Sequence, residues 1–198
     1  AILGSRSSGN HSKDGIAATT VPQFLAEMDG LDETPFLVLL ATNKPTSLDA
    51  AVVREGRVDR KVYVGRPTFE ATKQIAQIHL RGVKLQCESP DEVMAKVLFD
   101  SNKRLYQINR SDGDPHFLTL AHVLNGAMVQ ALVQQAASTA LQRDIAANAK
   151  DASGITEVDF SIAGHALFRQ QARLNHEEDL ELFVEPFRSK VTSIQSLI

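Results

Sequence analysis

The longest unbroken apolar run in the chain is FLVLLA (36–41), too short for a membrane span and patterned like a central parallel strand covered on both faces. KVYVG (61–65) reads as a second, shorter strand. Before them, apolar residues recur at helical spacing over 16–28, with Phe24, Leu25 and Met28 on one side, and Asp29–Gly30 ends that helix. After RPT (66–68) the character changes, and 69–81 and 89–99 read as amphipathic helices. RLYQI and HFLTL flank NRSDGDP, which predicts a β-hairpin near 104–120 with turn chemistry supplied by Asp112–Gly113. The most regular helical pattern covers 125–149. There Met128, Leu132, Ala136 and Ala140 recur every fourth residue, and Val129, Val133 and Leu141 widen the stripe. KDASG breaks it, Thr156 caps a further helix with Phe160, Ala163, Leu167 and Phe168 inward, and SKVTSIQSLI has the pattern of a short closing strand.

Composition narrows the classes. The chain of 198 residues is 43% hydrophobic and 23% charged, ordinary values for a globular protein with a real core. A net charge of −3 and a pI near 6.1 give no basic field for nucleic acid or an anionic membrane. The single cysteine, Cys87, excludes an internal disulfide framework and fits a reducing, cytoplasmic setting. The opening AILGSRSSG has neither an initiator Met nor the features of a signal peptide, so the reading expects a piece of something longer. GSRSSGNHSKDG (4–15) reads as a mobile loop.

Two motifs are decoys. GSRSSG has the first half of a phosphate-binding G-x-x-x-x-G-K-[ST] loop, but Asn10 and His11 stand where Lys and Ser/Thr must be. His176–Glu177 begins H-E-x-x-H, but Leu180 occupies the second zinc-ligand position. No metal held by this chain alone is expected. LVLLATNKPTSLDAAVVREGRVDR (37–60) carries more. Thr42 and Asn43 fall at the carboxyl end of a predicted parallel strand, where such sheets bind ligands. An Asn amide there can orient a water or hold a phosphate oxygen; it can equally just satisfy the turn before Pro45. Arg57 and Arg60 offer forked donors suited to phosphate, against the plainer outcome of pairing with Glu55 or Asp59 at the surface. Spacing alone leaves both alternatives open.

The combination goes further. ATNKPTSLDAAVVREGRVDR resembles, at nearly every position, the second region of homology of AAA ATPases. TTVPQFLAEMDGL is similar to the helix after Walker B in that family, and QIHLRGVKL and NGAMVQALVQQAASTAL are similar to its lid segments, in family order over about 1–140. The resemblance implies an α/β fold: the C-terminal part of a P-loop NTPase core with parallel strands (1–66), a helical lid carrying the hairpin (67–175), and a tail (176–198). It implies that Asn43 is the sensor-1 residue beside the γ-phosphate and the attacking water. Arg57 and Arg60 would be arginine fingers reaching ATP bound by the next subunit of a ring. His79 would lie near the ribose, Gly126–Ala127 would approach the adenine with backbone, and 5–14 would be the second pore loop.

The hairpin before NGAMVQALVQQA, with VPQFLAEMDGL, is most similar to the bacterial proteasome-associated AAA ATPases. Two positions depart from them: Arg60 keeps a second finger, and SIQSLI lacks a penultimate Tyr. The implied function is ATP binding and hydrolysis with Mg²⁺, in a hexameric ring of identical subunits that unfolds or remodels a protein substrate and feeds a proteasome-like protease. The Walker A loop and Walker B carboxylates would precede Ala1, which leaves this chain inactive alone. The rival is a truncated, non-catalytic scaffold module. A DNA-associated clamp loader or initiator is disfavoured by the acidic balance and by the absence of an arginine in the NGAM segment.

Overall fold

The computed structural model describes residues 22–27, 29, 37–42, 48–54, 57, 58 and 60–197. The chain divides into two compact units, Ala1–Val64 and Gly65–Ile198. In the first, 22–27 and 29 are helical, with Phe24 and Leu25 half-buried on one side as the spacing predicts. Asp49 opens a turn: its carboxylate accepts the Ala51 N–H at 2.9 Å and its carbonyl accepts the Val52 N–H at 3.0 Å. That turn drives Val52 into a fully buried position.

The two strands expected from FLVLLA and KVYVG are not strands in the described residues 37–42 and 60–65. Leu37 and Leu39 are 88% and 85% exposed, and Val62, Tyr63 and Val64 are exposed with them. An apolar run has strand propensity only so far as neighbouring strands take up its backbone hydrogen bonds. Among the described residues neither stretch is part of a strand ladder.

The second unit follows its pattern closely. Its elements are α1 (Phe69–His79), α2 (Pro90–Leu98), β1 (Arg104–Arg110), β2 (Gly113–Thr119), α3 (Leu120–Val123), α4 (Gly126–Ala146), α5 (Glu157–Gln171), α6 (Glu177–Val184), a 3₁₀ turn (Glu185–Lys190) and β3 (Val191–Ser196). Helix α4 is the spine: Met128, Val129, Leu132, Val133, Ala136 and Ala140 are all buried, and α1 and α5 pack against it. Leu141 does not widen the stripe, being 57% exposed. At 100° per residue it sits beside Ala140 on the flank that α5 leaves open.

Helix α5 starts on a capping box: Thr156 Oγ1 accepts the Asp159 N–H at 3.3 Å, and the Asp159 carboxylate accepts the Thr156 N–H at 2.8 Å. It buries Phe160, Ala163 and Leu167, with Phe168 half-buried against the same core. Upstream of that cap the chain turns at Gly154, whose φ is +104° and where a Cβ would lie 3.0 Å from the Lys84 carbonyl oxygen, so a side chain there would be strained. A parallel bridge between Leu85 and Ile155 fixes this crossing.

Gly164 lets α5 approach α2 closely, since a Cβ there would lie 2.1 Å from Val97 Cγ1. Replacing Gly164 by Ala is therefore expected to destabilise the unit by about 1–3 kcal/mol, although Ala is the better helix former. Thermal or urea unfolding checks it, and a stability equal to or above that of the wild type would show that Val97 moves aside freely.

The hairpin forms where expected, and the closing segment adds β3 to the other side of β1, giving an antiparallel sheet of order β2-β1-β3. Its turn differs in detail. Gly113 begins β2 without a positive φ, so Asp112–Gly113 is not a left-handed turn pair. What holds the turn is charge: Asp112 Oδ2 receives Arg110 Nη2 at 2.7 Å and Lys190 Nζ at 2.6 Å, and Ser111 N–H donates to the Lys190 carbonyl at 2.9 Å. Hydrogen bonds from Arg110, then Lys190, push the Asp112 pKa down to about 2. A depressed carboxylate stabilises the fold above its unfolded value, near 3.9, and that contribution is lost as pH falls toward 2. Amides of 110–113 and 190–193 are thus expected to exchange faster, relative to the core, at pH 2.5 than at pH 6, and Asp112→Asn is expected to abolish the difference.

Candidate functional site

In the first unit, Arg57 is held rather than free. Its Nε and Nη2 donate to the two oxygens of Asp29 at 2.7 and 2.6 Å, and its Nη1 donates to the Ala51 carbonyl at 2.9 Å. This is the bidentate fork geometry that a guanidinium also offers to phosphate. Hydrogen bonding to Arg57 holds the Asp29 carboxyl below the usual carboxylate range. The arginine side chain is 22% exposed and the aspartate 55%. A pair so open to water is screened and contributes little, so its fork can be exchanged for another anion at small cost.

Sequence reasoning looked to Glu55 and Asp59 for such a partner, and both lie outside the described residues. Asp29 was read only as a helix terminator. Nothing local in the sequence signals a pair 28 residues apart. Arg60 is exposed. Asn43 and the 5–14 loop lie outside the described residues.

In the second unit, His79 closes α1 and is half-buried. Gly126 and Ala127 form the first turn of α4 and are exposed. Asn125 caps that turn through its Oδ1, which accepts the Met128 N–H at 3.0 Å. A Cβ on Gly126 would meet nothing within 4 Å, so the backbone there is open to a flat group. Among the described residues no group of three His, Cys, Asp or Glu is placed to hold a metal ion. No helix of the described residues is long and apolar enough to cross a membrane.

Comparison with known proteins joins this geometry to a family. Residues 1–66 match the model of the ATPase family associated with various cellular activities (AAA). An ATP-dependent zinc metalloprotease FtsH of Sulfurovum sp. (strain NBC37-1) is 44% identical over 94 residues, 47% of this chain and 13% of that protein. An AAA ATPase forming ring-shaped complexes from Bifidobacterium longum subsp. infantis is 32% identical over 150 residues, 71% of this chain and 28% of that protein. The ATPase family gene 2 protein of Schizosaccharomyces pombe is 31% identical over 186 residues, 93% of this chain and 19% of that protein. The chain thus spans between 13% and 28% of the length of these curated relatives. With its arginine-bearing stretch inside the matched segment and its helical unit covered by the longer alignments, this chain belongs to the AAA family of ATPases, the family of α/β P-loop nucleotide-binding proteins.

Proposed function

We propose that this chain is the C-terminal part of an AAA ATPase module, the end of its nucleotide-binding core followed by its helical lid, working in a ring that is a hexamer of identical subunits. In this reading Arg57 and Arg60 reach the ATP of the neighbouring subunit, and Asn43 stands beside the γ-phosphate and the attacking water. His79, Gly126 and Ala127 receive the ribose and adenine. ATP with Mg²⁺ supplies the reactive phosphoanhydride, and the residues of this chain orient it and offset charge on it. Turnover drives unfolding or remodelling of a protein substrate, delivered to a proteasome-like protease in the cytoplasm.

The observation that carries the reading is the fork of Arg57. It is preformed, bidentate and anchored on the Ala51 carbonyl, yet clamped only by a solvent-exposed carboxylate. The ring-forming Bifidobacterium relative supports the assembly, and the open backbone of Gly126 supports the base contact. The experiment is ATP turnover by rings bearing Arg57→Ala, and unchanged turnover overturns the reading.

A further inference from the structure

Arg66 is the second residue after the boundary between the two units, and it ion-pairs with Oδ1 of Asp179, 113 residues further along. Asp179 lies in the first turn of α6, where a helix N-terminus favours a carboxylate. Its other oxygen lies 3.6 Å from Nδ1 of His176. His176 is 93% buried, because its relative exposure is 7%. Its Nε2 lies 2.8 Å from the Gln171 carbonyl, and a carbonyl only accepts, so Nε2 carries a proton and donates. The imidazole is thereby fixed at the end of α5, beside Asp179.

The other end of α6 is held by packing. Phe183 meets the His122 ring edge-on at a centroid distance of 4.7 Å and the Phe187 ring at 5.9 Å, while Val184 is buried. His122 belongs to α3, where its Nδ1 accepts the Thr119 N–H at 3.0 Å. Helix α3 ends at Leu124, which is fully buried, and the next residue is Asn125, the cap of α4. One short helix therefore joins the segment entering this unit to the turn that presents Gly126 and Ala127.

We propose that α6 is a strut, with Asp179 and Phe183 as positioning residues, that couples the conformation of the entry segment around Arg66 to that of the 125–129 turn. Its use in an ATPase cycle rests on the nucleotide reading of that turn; the mechanical coupling does not. Both ends are fixed to the same eight-residue helix.

Hydrogen exchange on the full 198-residue chain tests it, comparing wild type with Asp179→Asn, Arg66→Gln and Phe183→Leu. Each substitution cuts the strut at one end. Each is expected to speed exchange at least about fivefold at both 69–72 and 125–129, leaving β1 and the middle of α5 unchanged, as a sub-global opening requires. Combining Asp179→Asn with Phe183→Leu is expected to add nothing further. Acceleration confined to the cut end overturns the proposal. So does uniform acceleration across β1 and α5, which would show plain stabilisation. Neither result bears on the ATPase reading, which Arg57→Ala tests separately.

Discussion

Rings assembled with Arg57→Ala are expected to lose ATP turnover by at least about 10³-fold while binding ATP within a few-fold of wild type. The asymmetry follows from what a forked cation does. In the proposed ring a ground-state nucleotide would already be held by its own subunit's phosphate loop and Mg²⁺, so an arginine arriving from the neighbour would add little to binding. As the γ-phosphoryl group transfers, charge builds on its oxygens, and a preplaced guanidinium then stabilises the transition state more than the ground state. Arg57→Lys keeps the charge but loses the fork, and should recover only part of the rate. Steady-state turnover together with a nucleotide-binding titration separates the two terms. If turnover stays near normal, Arg57 serves Asp29 and the fold alone, and the plainer reading of the pair is correct.

Phe160→Ala should have the largest effect on stability. Phe160 is fully buried on α5, one helical turn before Gly164, on the face that packs against α4 and α2. Its truncation removes a large apolar surface from contact and leaves a cavity between helices that are already tightly apposed where Gly164 meets Val97. A loss of about 3–5 kcal/mol is expected. Against a typical total of roughly 5–15 kcal/mol, this brings the unit near its limit and lowers its melting temperature on the order of 15 °C. Calorimetry on the full chain measures it. A shift of only a degree or two would mean that the core around α5 repacks, which the close-packed geometry does not allow.

The two units differ in how far their sequence could be read, for one physical reason. Helices make their hydrogen bonds within themselves, so periodicity, caps and breakers were enough to place α1, α2, α4 and α5 within a few residues, whereas the short α3 and α6, the latter in a segment expected to be a tail, were not foreseen. Thr156 was visible as a cap, and the hairpin was visible from its flanks. A strand is different, because its partner lies elsewhere in the chain or in another segment. FLVLLA has the composition of a central strand, yet composition does not supply a neighbour, and Leu37 and Leu39 stand exposed.

The same division governs the candidate site. The amino-acid order alone determined the family, because the arginines, the asparagine and their spacing form a motif that folding does not alter. It also determined α4, whose buried stripe is written in its residues. Only the tertiary structure decided which acid each arginine meets. Arg57 pairs with Asp29 rather than with a sequence neighbour, and Arg66 reaches Asp179 across most of its unit. Charges attract through space and carry no sequence period, so their partners become legible only once the chain has folded.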